Sequence, residues 1–166
     1  ALFRNVDVLE RIHWNPHRKI RKITSDSRGI EPGDLFIASP GKRMDGHDFL
    51  GQAVLAKAAA IVYEKKPDWK IPKEVTAVQV ANSAICLADL IRRFHGFPDR
   101  DVRLVGVTGT NGKTTTAYLL HSLLREKTRA AYVGTLWYEI ANARHPAMNT
   151  TPGVEVLVPL LHEMRQ

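Results

Sequence analysis

The chain has one cysteine in 166 residues. A lone thiol excludes an intrachain disulfide, and Cys86 lies in an apolar helical pattern that suits a small core residue. A reducing compartment fits such usage, so a cytoplasmic location is expected. Long apolar runs are missing too. No stretch approaches the roughly 20 residues needed to span a bilayer, so membrane insertion is not expected. Near the start, Arg4, Asp7, Glu10 and Arg11 interrupt any apolar segment of a secretory leader. Aromatic residues make up only 7%, and none interleave with the densest basic patch, Arg18, Lys19, Arg21 and Lys22. Single-strand nucleic-acid binding usually needs that interleaving. The patch, with His13 and His17 nearby, reads as solvated surface with some attraction for small anions, and no nucleic-acid partner is expected. His13, His17, His95, His145 and His162 lack metal-ligand spacing. His47 and His121 are expected to be structural or exposed. No internal repeat or low-complexity tract occurs.

What is present is a globular composition. Hydrophobic residues make up 44%, net charge is +7, and the length suits one ordinary domain or two small ones. The most informative segment is Thr108-Gly-Thr-Asn-Gly-Lys-Thr-Thr-Thr116, which follows the apolar run Val102–Val107. That order predicts a strand, a phosphate-binding loop and a helix. Gly109 and Gly112 permit backbone conformations in which successive N–H groups turn toward anionic oxygens. Lys113 supplies a mobile positive charge, Thr114 a hydroxyl suited to Mg²⁺, and the helix the positive end of its dipole. Val107 stands where the common G-x-x-x-x-G-K-[ST] pattern has its first glycine. The loop is therefore a G-x-x-G-K-T variant, and the rest of the chain must carry part of the argument.

Two parts are visible, residues 1–98 and 99–166. In the first, Ile20–Thr24, Leu35–Ala38, Ala60–Tyr63 and Val75–Val80 read as strands. Ser25 to Gly29, Pro32-Gly33 and Ser39 to Gly46 read as turns or loops. Asp48 is expected to cap a helix reaching about Ala59. Asn82 or Ser83 is expected to cap another, with Ala84, Leu87, Ala88, Ile91 and Phe94 on one face, stopped by Gly96 and Pro98. In the second part the phosphate loop opens a helix over Thr114–Glu126 with Leu119, Leu120, Leu123 and Leu124. A second strand over Ala130–Val133 continues through Leu136–Ile140, residues 141–152 are a loop, and Val154–Met164 is a helix. Thr151 is expected as the cap of that helix, with Pro152 in its first turn. A phosphate loop rests on a parallel sheet of several strands. The few strands after Asp101 make the second part read as the opening portion of such a domain, and Ala1 in place of Met fits a partial chain.

Several motifs together resemble one family. The segment Thr108–Thr116 resembles the ATP loop of the Mur ligases, which build the peptide of bacterial peptidoglycan. Asp26-Ser27-Arg28, Pro32-Gly33-Asp34-Leu35-Phe36, Gly41 and Asp45-Gly46-His47-Asp48-Phe49 resemble the family's N-terminal UDP-binding domain. Asn149-Thr150-Thr151-Pro152 resembles the substrate segment of the branch that extends UDP-N-acetylmuramoyl-L-alanyl-D-glutamate. Ala58 stands where relatives often have glycine. The resemblance implies an α/β fold: residues 1–98 as a small UDP-sugar-binding domain, and 99–166 as the start of a central, P-loop-type parallel-sheet domain for ATP.

It also implies roles. Gly109, Thr110, Asn111 and Gly112 would cradle ATP phosphates, Lys113 would neutralise their charge, Thr114 would ligate Mg²⁺, and Thr115 would line the same site. Ser27, with Ser25 adjacent, would contact the uridine diphosphate. Lys42, Arg43 and Met44 occupy the family's UDP-contacting loop, although solvated loop charges explain the two cations equally well. Asn149, Thr150 and Thr151 would hydrogen-bond the muramoyl-peptide end. The implied reaction is ATP-driven amide formation between the D-Glu γ-carboxylate and a diamino acid, meso-diaminopimelate or L-lysine, by way of an acyl phosphate. The family's later magnesium ligands and its amino-acid-selecting motif lie beyond Gln166, so residues 1–166 alone are expected to lack full activity, as a monomer. The rival readings are the branch that adds D-Ala-D-Ala, a non-catalytic UDP-sugar-binding module, and a basic nucleic-acid-binding ATPase.

Overall fold

The computed structural model describes residues 2–4, 6–41, 44–141, 143–147 and 149–165. The chain divides into two compact units, Ala1–Phe94 and His95–Gln166.

The first unit is built on a five-stranded sheet. Its strands are β1 (Val8–Ile12), β2 (Ile23–Thr24), β3 (Leu35–Ile37), β4 (Ala60–Tyr63) and β5 (Thr76–Val80), in the order β1-β5-β4-β3-β2. Strands β2 to β5 run parallel, and β1 pairs antiparallel with β5. The parallel strands are short apolar runs buried on both faces, as parallel sheets require. Phe36, Ile61, Tyr63 and Ala77 face one side and pack with Leu50 and Ala53 of helix α1 (Leu50–Leu55). Leu35, Ile37, Val62 and Val78, one residue out of phase, are also fully buried. Helix α2 (Ser83–Phe94) adds buried Cys86, Leu90 and Ile91. Asn82 caps α2 by accepting the Ile85 N–H at 2.9 Å. The helix expected from Asp48 begins two residues later, because Asp45 instead caps a 3₁₀ turn over Gly46–Phe49 that leads into α1. Strand β1 has no counterpart among the strands expected from the sequence. It alternates half-buried and exposed residues, and its charges sit on the sheet edge, where they discourage pairing with other chains.

The second unit contains α3 (Lys113–Leu124), an antiparallel sheet β6 (Tyr132–Val133), β7 (Trp137–Ile140) and β8 (Ala143–Pro146), and α4 (Val154–Met164). Here the structure corrects four local expectations. Residues 102–107 join no ladder among the described residues, and Leu104 and Val105 are 59% and 64% exposed. A strand of this apolar kind is buried only when neighbours flank it on both sides, and β6 to β8 pair with one another instead. Leu136–Ile140 does not prolong the preceding strand but turns back on it, with Tyr132 opposite Glu139. The expected loop 141–152 holds β8, opposite β7. Finally, Gly153 rather than Thr151 is the N-cap of α4, and it makes no side-chain cap hydrogen bond.

Helix α3 does not bury its leucine pattern. Leu119, Leu123 and Leu124 are exposed, and His121 is the buried residue of the helix. His121 and Tyr118 pack on Tyr132, and Tyr118 meets Trp137 edge-on. Beneath them Glu139, 3% exposed, accepts bonds from Arg125, Arg144 and the Trp137 indole at 3.0–3.1 Å. Burial raises the Glu139 pKa, but the Arg144 and Trp137 hydrogen bonds outweigh it and hold the carboxyl below its usual range.

Candidate functional site

The turn between residue 108 and α3 has the backbone that the glycines allow. Gly109 has φ 153° and Gly112 φ 75°, conformations that side chains disfavour. Gly112 is the N-cap of α3, and it brings no side-chain cap; among the described residues no side chain accepts from the first-turn N–H groups. Those donors and the positive end of the helix dipole therefore stand at an exposed loop, the usual physical basis of an anion site. Thr110, Asn111 and Thr115 are exposed, while Lys113 and Thr114 are half-buried at the first turn. The Lys113 ammonium donates to the Gly109 carbonyl at 2.7 Å, which stations its charge across the loop. Thr114 offers a hydroxyl at the same turn. No group of three or more His, Cys, Asp or Glu among the described residues could hold a metal ion. A single hydroxyl fits a Mg²⁺ that arrives on phosphate oxygens and keeps several waters, rather than one caged wholly by protein.

In the first unit the candidate segments leave the carboxyl ends of adjacent parallel strands, the edge where open α/β sheets bind ligands. Ser25 follows β2, and Ser27 starts a 3₁₀ turn capped by Asp26, whose carboxylate accepts the Arg28 N–H at 3.0 Å. Ser25 and Ser27 are both half-buried. The Arg28 guanidinium pairs with Asp26 at 2.6 Å, and these bonds lower the Asp26 pKa to about 2. The loop after β3 is closed by a bridge between Pro40 and Asp45 and by the Gly46 N–H on the Ser39 carbonyl. Met44 is 65% exposed on it. Lys42 and Arg43 lie outside the described residues.

A residue with no chemistry expected of it, His47, fastens this loop. His47 Nε2 accepts backbone N–H bonds from Glu64 and Lys65 at 2.9 and 3.1 Å, just past β4. Its proton therefore sits on Nδ1, which donates to Asp45 at 2.5 Å, and Lys65 reaches the other Asp45 oxygen at 3.0 Å. The His47 side-chain and backbone bonds, with Lys65, hold the Asp45 carboxyl well below the usual range. Nothing in a lone sequence shows that a histidine will meet residues seventeen positions away. The Asp45-Gly46 turn is the only local hint.

Asn149, Thr150 and Thr151 are exposed in the bends before α4. They are tied to the antiparallel sheet. Tyr138 of β7 bonds the Asn149 backbone, and the Thr135 hydroxyl donates to Thr150 Oγ1 at 3.3 Å. Neither Tyr138 nor Thr135 stands out in the sequence. A buried tyrosine needs a partner for its hydroxyl, and that is the available signal.

Comparison with known proteins gives this geometry a family. The model described as "Mur ligase family, catalytic domain" matches residues 19–95, and that described as "Mur ligase middle domain" matches residues 107–166. The chain belongs to the Mur ligase family. Two curated relatives are UDP-N-acetylmuramoyl-L-alanyl-D-glutamate–2,6-diaminopimelate ligases. That of Lactiplantibacillus plantarum is 36% identical over 88% of this chain, and that of Pseudomonas syringae pv. tomato is 38% identical over 93%. The chain spans about three tenths of the length of these relatives, 29% and 32%. Among solved structures, MurF ligase from Thermotoga maritima in complex with ADP is 38% identical over 64% of this chain and 24% of its own, with a TM-score of 0.51. A solved UDP-N-acetylmuramoyl-L-alanyl-D-glutamate–2,6-diaminopimelate ligase covers 88% of this Mur ligase chain and 29% of its own length. Its TM-score is 0.65 at 24% identity, a likeness of fold.

Proposed function

We propose that this chain is the nucleotide- and UDP-sugar-binding portion of an ATP-dependent amide ligase of peptidoglycan precursor synthesis. The substrate is UDP-N-acetylmuramoyl-L-alanyl-D-glutamate, and the group added is a diamino acid, meso-diaminopimelate or L-lysine. The observation that carries the reading is the open, uncapped start of α3, with Gly109, Gly112 and Lys113 arranged around it. Residues 1–98 serve the UDP sugar through Ser25, Ser27 and the loop of Lys42, Arg43 and Met44. Residues 99–166 serve ATP through Gly109, Thr110, Asn111, Gly112, Lys113, Thr114 and Thr115, and the muramoyl peptide through Asn149, Thr150 and Thr151. The Thr114 hydroxyl would help hold a Mg²⁺ bound with ATP, which would supply neutralisation of the phosphate charge.

The chemistry asks little covalent work of the protein. A γ-carboxylate oxygen of D-Glu attacks the γ-phosphorus of ATP and ADP leaves. The amine then attacks the acyl carbon, inorganic phosphate leaves and the amine loses a proton. A carboxylate is a poor electrophile, and phosphorylation supplies its leaving group. The chain's part is placement and neutralisation of charge: the loop amides and Lys113 hold the phosphates, and the N-terminal unit holds the uridine diphosphate handle. A cytoplasmic monomer is the working form.

The likeness to MurF at 38% identity favours a second reading, addition of D-Ala-D-Ala. Two curated relatives matched over about nine tenths of the chain, together with the Asn149–Thr151 segment, favour the diamino-acid branch. Amide formation by the full gene product decides between them. Product from the UDP-dipeptide with diaminopimelate or lysine supports the reading, and product only from the UDP-tripeptide with D-Ala-D-Ala replaces it. Residues 1–166 alone are expected to bind both nucleotides and form little or no amide.

A further inference from the structure

The Tyr138 side chain is buried, 2% exposed, in the central strand of the antiparallel sheet. Its backbone neighbours are fixed by pairing with Val133 on one side and His145 on the other. The phenol hydroxyl donates to the Asn149 carbonyl at 3.0 Å and accepts from the Asn149 N–H at 3.3 Å. One hydroxyl thus satisfies both backbone groups of one residue, as a paired strand would. The next residue is held separately, by the Thr135 hydroxyl on Thr150. What the fold leaves uncommitted is equally specific. The Asn149 carboxamide and the Thr151 hydroxyl have no hydrogen-bond partner among the described residues, and both residues are exposed.

We infer that Tyr138 is a positioning residue of the substrate site. It clamps the Asn149 backbone to a rigid strand so that the carboxamide is presented to the muramoyl-peptide end of the UDP substrate at little ordering cost. The inference rests on the assignment of Asn149–Thr151 to that substrate. The residue acts through Asn149 and touches no reacting atom. Without the clamp, a loop segment must be ordered by each ligand that binds, which lowers affinity without altering the phosphate loop.

The test is calorimetric titration of the full gene product with UDP-N-acetylmuramoyl-L-alanyl-D-glutamate and, separately, with MgATP. It compares wild type, Tyr138→Phe, Asn149→Ala and the double variant. Phenylalanine keeps the ring in the core and removes only the hydroxyl. Tyr138→Phe is expected to weaken the UDP substrate about ten-fold, the effect of roughly one net hydrogen bond. It should leave MgATP within about two-fold and cost little further in the Asn149→Ala background. The Asn149 amide should exchange about ten-fold faster in Tyr138→Phe, on the same scale. Unchanged amide exchange would remove the clamp. Equal losses with and without the Asn149 carboxamide, or parallel loss of MgATP, would reduce Tyr138 to a packing residue. Wild type that binds MgATP but not the UDP substrate would overturn the functional assignment of the segment itself.

Discussion

At Cys86, burial in α2 pushes the thiol pKa up to about 12, with Asp89 adding to the effect. The thiolate is the reactive form, so the folded chain should resist iodoacetamide at pH 8 and react readily in denaturant. Mass spectrometry of both samples checks this, and rapid labelling of the folded chain would contradict the burial. Gly112 is the sharper case. At φ 75° an alanine is disfavoured by about 1–2 kcal/mol, although its Cβ would meet Thr116 only at 3.9 Å. Gly112→Ala should therefore weaken MgATP about ten-fold through conformation rather than collision, while leaving the UDP substrate unaffected. Equal titration curves for the variant and wild type would show that the turn does not set the site. At this scale the sequence is most legible where chemistry is local. Two glycines, a lysine and a threonine in that order predict the positive-φ turn and the helix that starts after it. The roles of His47 and Tyr138 are hidden because their partners, the Glu64 and Lys65 amides and the Asn149 backbone, are brought to them by the fold.

Among the elements, the runs Leu35–Ile37, Ala60–Tyr63 and Thr76–Val80 can be read from the sequence because apolar density coincides with burial. Helix α2 can be read as a helix, although of the one face expected only Ile91 is fully buried: Ala84 and Phe94 are exposed, and Cys86 and Leu90 take the core positions. The misses share a physical cause. Strand β1 is held by pairing with β5 rather than by apolar content. Ala143–Pro146 becomes a strand only because a hairpin lays it on β7. Conversely, residues 102–107 have strand composition but join no ladder among the described residues, since composition cannot supply the neighbours on which a parallel strand depends. Their amides should exchange at rates close to unprotected chain, whereas those of Ile61 to Tyr63 should be among the slowest in the protein. Strong protection over 103–107 would mean that the segment finds a sheet partner in solution.

For the whole molecule, the shifted groups agree on how stability varies with pH. The Asp26, Asp45, Glu64 and Glu139 carboxyls all lie below their ordinary values, through hydrogen bonds from Arg28, His47, Ser83 and, against burial, Arg144. His95 is lowered by burial and by His162. Each of these groups binds fewer protons folded than unfolded, so each contributes stability that is lost as pH falls: for His95 below the usual histidine value, for Asp26 down to about 2. Cys86, Tyr63 and Tyr132 are raised by burial, so their contribution is lost as pH climbs through the thiol and phenol range. Thermal unfolding should therefore be most resistant between about pH 7 and 8 and decline on both sides. A midpoint that rises steadily from pH 7 to pH 5 would contradict these assignments. The two compact units meet between Phe94 and His95, four residues before the boundary expected from the sequence, and the family is legible because each part carries its own motif in order. The antiparallel arrangement within the second unit is not, because nothing local distinguishes a strand's continuation from its return.

The central claim is that one chain carries two separable nucleotide sites, a triphosphate site at the start of α3 and a uridine diphosphate site on the parallel sheet of the first unit. Calorimetric titration of Lys113→Ala with MgATP and then with UDP-N-acetylmuramoyl-L-alanyl-D-glutamate tests it most directly. The account predicts that MgATP binding disappears while the UDP substrate binds within about two-fold of wild type, because the ammonium acts on phosphate charge alone. Loss of both ligands from a protein that remains folded, or undiminished binding of MgATP, would contradict it.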